Sequence, residues 1–137
     1  MKSYVFLLLL SLASFAQTNK DYTKILNHTV PGEKVFLENE VDRKPKLMYG
    51  ENAMYRFLSR NFKFPKSDTF VSEIVCSFIV EVDGTISDIK VVNKVPENYK
   101  KELFRVMNKF EEPWYPAFKN EKQVRCQYVL PIKINSI

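Results

Sequence analysis

VSEIVCSFIVEVDGTISDIKVV, residues 71–92, decides the fold. Two β-rich runs flank Asp83-Gly84, the dipeptide favoured in a two-residue hairpin turn whose central residues need positive φ. In the first run Ile74, Cys76, Phe78, Val80 and Val82 alternate onto one face. Val75, Ser77, Ile79 and Glu81 share the other, which is only partly polar. The alternation slips between Ile86 and Ile89 in the second run. A bulge near Ser87-Asp88 would return Ile89 and Val91 to the apolar face. The stretch therefore predicts an antiparallel hairpin with one buried side.

Helical periods lie on both sides of this hairpin. Upstream, YGENAMYRFLSRNFKFP reads as a helix entered after Gly50, with Met54, Phe57, Leu58 and Asn61 at helical spacing. Pro65 pushes Phe64 into extended backbone and closes that helix. Downstream, PENYKKELFRVMNKFEEP reads as a second helix, with Pro96 and Glu97 suited to its first turn. Tyr99, Leu103, Val106, Met107 and Phe110 form its single apolar stripe, the pattern of a core face.

The last run, QVRCQYVLPIKI, is a strand with Val124, Cys126, Tyr128, Leu130, Ile132 and Ile134 on one face. Pro131 lacks a backbone donor and suits a rim strand. Helix, hairpin, helix and strand together predict an α+β fold of two layers, a small antiparallel three-stranded sheet packed on two helices. Residues 17–48 read as a polar lead-in, with one short strand from Val35 to about Val41. The folded domain is expected over residues 49–137.

Trp114, the only tryptophan, lies between Pro113 and Pro116. Burying it removes roughly 150–250 Å² from water, at most about 4–6 kcal/mol, and an exposed ring forgoes all of it. Trp114 is accordingly read with Pro116 as a structural lock at the helix-to-strand crossover, and Asp83 and Gly84 as structural turn residues.

Composition narrows the function. The chain opens MKSYVFLLLLSLASFAQ, one lysine, an apolar run and small residues at Ser14 and Ala16. That is the pattern of a signal peptide over residues 1–16, cut after Ala16, and it places the protein in the periplasm or outside the cell. About 120 residues would remain, enough for one modest core. The net charge of +5 comes from scattered lysines and arginines with no nucleic-acid motif, so no nucleic-acid partner is expected. His28 is the only histidine and glycines number three, which leaves no zinc cluster, histidine triad or phosphate-cradling loop. No catalytic residue, cofactor or metal is assigned. Glu81, Asp83 and Asp88 cluster near the hairpin tip, but carboxylates beside a turn usually bond to it. Cys76 and Cys126 point to one face of strands expected to be neighbours. A cross-strand disulfide is feasible if their α-carbons lie within about 7 Å, and two buried thiols are the other reading.

GENAMYRFLSRNFKFP, VSEIVCSFIVEVDGTISDIKVV and PWYPAFKNEKQVRCQYVLPIKI, in that order, resemble the TonB C-terminal domain family in the version common among exported Bacteroidetes-type proteins. The resemblance spans Tyr49 to Ile134. It implies a periplasmic module whose last strand pairs with an extended segment of an outer-membrane transporter, a case of β-augmentation. Carried over by position, the pairing strand is Val124, Arg125, Cys126, Gln127, Tyr128, Val129 and Leu130. Arg125, Gln127 and Val129 fall on the face away from the helices. The chain departs from full transducers of the family in lacking an uncleaved N-terminal helix and a proline-rich linker, and Asn120-Glu121 stands where the family usually has a glycine. The expected function is thus a non-enzymatic exported interaction module for an extended segment of an outer-membrane or other envelope protein, or for a second copy paired through the last strand. The alternative is an accessory part in TonB-dependent transport beside a separately anchored transducer.

Overall fold

The computed structural model describes residues 34–137, which form one compact unit. The leader expected over residues 1–16 and most of the lead-in fall outside the described residues. Residues 34–48, by contrast, belong to the folded unit, so the boundary expected at residue 48 is corrected. Their only strands are β1 (Val35–Phe36) and β2 (Lys46–Leu47), with a 3-10 turn over Glu38–Glu40 between them.

The remaining elements are α1 (Asn52–Asn61), β3 (Glu73–Val80), β4 (Ile86–Val91), α2 (Glu97–Met107), β5 (Trp114–Tyr115), β6 (Ala117–Lys119) and β7 (Lys122–Lys133), the expected order with the short β5 and β6 added before the last strand. The fold is α+β. Its main sheet runs β1-β7-β3-β4, with β6 also paired to β7 and a separate two-stranded piece from β2 and β5. The three antiparallel strands read from the sequence are its centre, and β1 joins them in parallel. Ile74, Cys76, Phe78 and Val80 of β3 share one core with Met54 and Leu58 of α1 and Leu103, Val106 and Met107 of α2. Both helices thus cover one sheet face.

Two local readings change. The hairpin tip is not a two-residue turn. Gly84 N–H donates to the Glu81 carbonyl at 3.0 Å, Glu81 N–H donates to Thr85, and of the two tip residues only Gly84 has positive φ, 84°. This is a three-residue loop ending in a left-handed glycine. Asp83 Oδ1 accepts from the Thr85 amide at 3.0 Å and the Thr85 hydroxyl at 2.6 Å. The true two-residue turn is Asn120-Glu121, φ 50° and 64°, joining β6 to β7. The bulge lies where the alternation slipped. Ser77 pairs with Lys90 but Ile79 with Ser87, Asp88 has φ 48°, and Ile89 and Val91 pack on the core.

Candidate functional site

The outer edge of β7 is set by backbone parity. Ile134 N–H donates to the Ser72 carbonyl at 2.9 Å, continuing the β3–β7 register in which Ile132 faces Ile74 and Leu130 faces Cys76. Even-numbered residues of β7 therefore turn their amides and carbonyls toward β3, and odd-numbered ones toward the rim. The same parity places β6, paired through Lys122 and Val124, on the β3 side. At the rim sits β1, Val35 opposite Arg125 and Phe36 opposite Cys126. Of the pairing strand read over Val124–Leu130, β1 covers the first half. Pro131, whose nitrogen faces the rim, gives up no bond to β3, and its carbonyl accepts the Tyr55 hydroxyl at 3.3 Å. Val129 lies between these two covers, 44% exposed.

Side chains of the strand divide as the alternation requires. Cys126, Tyr128 and Leu130 face the helices, and Cys126 and Leu130 are buried. Arg125, Gln127 and Val129 face the open side. Arg125 is not a spare cation: its Nε and Nη2 donate to Glu81 Oε2 and Oε1 at 2.8 and 3.0 Å. The Ser87 hydroxyl adds a bond of 2.6 Å to the same carboxylate, which is buried. Gln127 Nε2 donates to the Ser77 hydroxyl at 2.9 Å. The hairpin carboxylates are likewise committed: Glu81 to Arg125, Asp83 to Thr85, and Asp88 to Lys90 at 3.1 Å. They do not converge on one point. Among the described residues no group of three or more histidine, cysteine, aspartate or glutamate side chains could hold a metal ion.

Two hollows flank the rim. On the helix side a cavity of about 330 Å³ is bounded by Leu47, Glu51, Tyr55, Trp114, Tyr128 and Pro131. Tyr128 has its phenol pushed up by burial first and then by the nearby carboxylates of Glu38 and Glu51. On the open face a shallower hollow of about 230 Å³ lies between Leu37, Ser77, Ile79 and Gln127. A strand laid along this rim would send alternate side chains into the two hollows.

Trp114 builds the first hollow's floor. It is 3% exposed and meets Phe78 and Tyr128 edge-on, at centroid distances of 5.5 and 4.9 Å. Its amide donates to the Gly84 carbonyl at 3.0 Å, and Leu47 pairs with it across β2–β5. Pro116, half-buried, separates β5 from β6. Of the two readings of the cysteines, the disulfide is ruled out and the buried thiols stand. Cys76 pairs with Leu130 and Cys126 with Val80, four positions apart along the sheet, roughly 13 Å at strand spacing and beyond any S–S bond. Both thiols are free, and burial pushes Cys76 up to about 12 and Cys126 up to about 11, the latter aided by Glu38 and Glu40. They are protonated at neutral pH and inert as nucleophiles.

The sequence did not single out Tyr55, Leu37 or the β1 pairing. The apolar Val35-Phe36-Leu37 run was visible, but nothing local says that it joins the sheet in parallel at Arg125. No protein-family model matches the chain, and no characterised protein or solved structure matches it either. Among the described residues no helix is long and apolar enough to cross a membrane.

Proposed function

We propose that the protein is a non-enzymatic, exported interaction module that captures an extended segment of an envelope protein by adding it as a strand to the rim of β7. The observation that carries this reading is Val129. Its amide and carbonyl face the rim with no strand beside them among the described residues, and its neighbours Tyr128, Leu130 and Pro131 line the helix-side hollow. The opposite sheet edge is a poor acceptor, because the bulge at Asp88 and the Asp88–Lys90 charges interrupt β4. Main-chain bonds would supply affinity and the hollows selectivity. The ordered motifs over Tyr49–Ile134 favour a TonB-like setting, with the periplasmic segment of an outer-membrane transporter as the captured strand.

A photoreactive residue in place of Val129, followed by mass spectrometry of the adducts, tests this in cells. Adducts with envelope-protein segments are expected, and Val129→Pro, which removes the open amide between β1 and Pro131, should abolish capture by the otherwise native rim. Undiminished capture by the folded Val129→Pro protein would sink the reading. Adducts only with a second copy of the chain would replace the envelope partner by self-association.

A further inference from the structure

The lane that an added strand needs is already partly filled by the chain's own residues. In the observed register β1 engages the rim-facing backbone of Arg125 and reaches the Gln127 amide. Pro131 has no N–H, and its carbonyl is taken by Tyr55. That leaves Val129 and little else, too short a ladder to hold a strand. With Val35 and Phe36 lifted away, Arg125, Gln127 and Val129 would present three successive rim residues.

β1 is built to leave. It is two residues long, pairs in parallel, and its side chains are only half-buried, with the Lys34 ammonium lying 4.5 Å from the Phe36 ring centroid. Leu37 is already 48% exposed. The next residues are held far more firmly. Lys119 Nζ donates to the Glu40 carbonyl at 2.7 Å, Asn120 N–H to Asp42 Oδ2 at 2.8 Å, and Arg43 and Phe118 exchange backbone bonds of 3.2 and 3.0 Å. Opening can therefore stop at the Glu38–Glu40 turn without loosening the body. Segments with few contacts and short ladders are the ones that open locally.

We infer that Val35–Phe36 is a displaceable internal occupant of the capture lane, so that the protein takes its partner by strand exchange. The inference rests on the rim-pairing function proposed above. The occupant also shows what the lane accepts. Phe36 lies opposite Cys126 on the helix side, while Val35 and Leu37 border the open-face hollow. Two residues further along, the helix-side position falls beside Tyr128 and its cavity. The partner strand should thus be extended and apolar at alternate positions.

The probe is a fluorescein-labelled synthetic peptide of the sequence KVFLENE, titrated into the full chain and into a Val35→Gly/Phe36→Gly variant. The variant should bind at least tenfold more tightly, because its internal competitor is gone, and adding Gln127→Pro, which removes the rim amide that β1 reaches, should abolish that binding. Equal affinity for both chains, still lost with Gln127→Pro, overturns strand exchange and leaves rim pairing standing. Binding indifferent to Gln127→Pro overturns rim pairing and exchange together, and a folded double variant that binds nothing overturns exchange. Hydrogen exchange on the unaltered protein gives an independent reading. The Arg125 and Gln127 amides should exchange at least a hundredfold faster than those of Tyr128 and Leu130, and equal protection contradicts the proposal.

Discussion

Gly84 and Glu121 both adopt left-handed backbone, and their surroundings give them opposite consequences. At Gly84 a β-carbon would lie 2.5 Å from the Trp114 carbonyl oxygen, and φ is 84°. Backbone cannot retreat there without breaking the Trp114–Gly84 hydrogen bond. Gly84→Ala should cost about 2–4 kcal/mol, from strain plus displacement of the tryptophan, as read by denaturant unfolding. Glu121 carries a side chain at φ 64° in the β6–β7 turn and is exposed. Glu121→Gly should stabilise the protein by about 0.5–1 kcal/mol, the left-handed penalty less the extra unfolded-state entropy. A loss of stability would show that Glu121 holds the turn by some other contact. Trp114 presents a third case. Its indole N–H has no acceptor among the described residues, so the ring contributes by packing alone. Trp114→Ala should cost about 3–5 kcal/mol and Trp114→Phe far less. Similar losses for both would mean that the indole nitrogen matters after all.

Among the elements, α1 and α2 are clamped at one point. Arg105, on α2, donates from Nε to Glu102 Oε2 at 2.9 Å and from Nη2 to the Asn61 carbonyl at the end of α1, at 2.8 Å. Glu102 Oε1 accepts the Lys63 amide at 2.7 Å. The Arg105 guanidinium foremost, with the Lys63 amide also contributing against some desolvation, holds the Glu102 carboxyl below its ordinary value. A carboxyl lowered in the folded state binds fewer protons there than in the unfolded chain. Its contribution is therefore complete above the unfolded glutamate pKa, roughly 4.3, and fades as pH falls through the folded value. Glu102→Gln should lower stability at pH 7 and flatten the acid side of the stability–pH profile. An unchanged slope below about pH 5 would show that the clamp carries no titrating share. The strands obey a related logic: β7 tolerates Pro131 because its nitrogen faces the rim, so the β3 ladder loses nothing.

At the scale of the whole molecule, one core on one sheet face leaves the other face and the β7 rim to interact. Cys76 lies deep in that core, so alkylation in the absence of denaturant should not label it within the lifetime of the folded state; Cys126 is buried opposite Phe36 and should be labelled only as β1 opens. Unfolding without reductant should expose both, giving two added labels in the intact mass. No label after unfolding would mean a bond that the register forbids.

Much of this was legible in the sequence. Period-2 and period-3.6 patterns fixed β3, β4, β7 and both helices, because each pattern records which side of an element meets the core. The slip between Ile86 and Ile89 located the bulge, since one extra residue must reverse the alternation. The energetic weight of an indole argued for burial of Trp114. Other features depended on partners distant in the chain. Asp83-Gly84 did not reveal the three-residue loop, which is fixed by the close approach of Trp114. Alternation put Cys76 and Cys126 on one face but left their register open, and β3–β7 pairing separates them by four positions. Val35-Phe36 forms a strand only because the rim-facing backbone of Arg125 and Gln127 lies beside it. Local pattern reports whether a residue faces the core; which backbone lies beside it is settled by chain packing, and the state of the β7 rim was decided there.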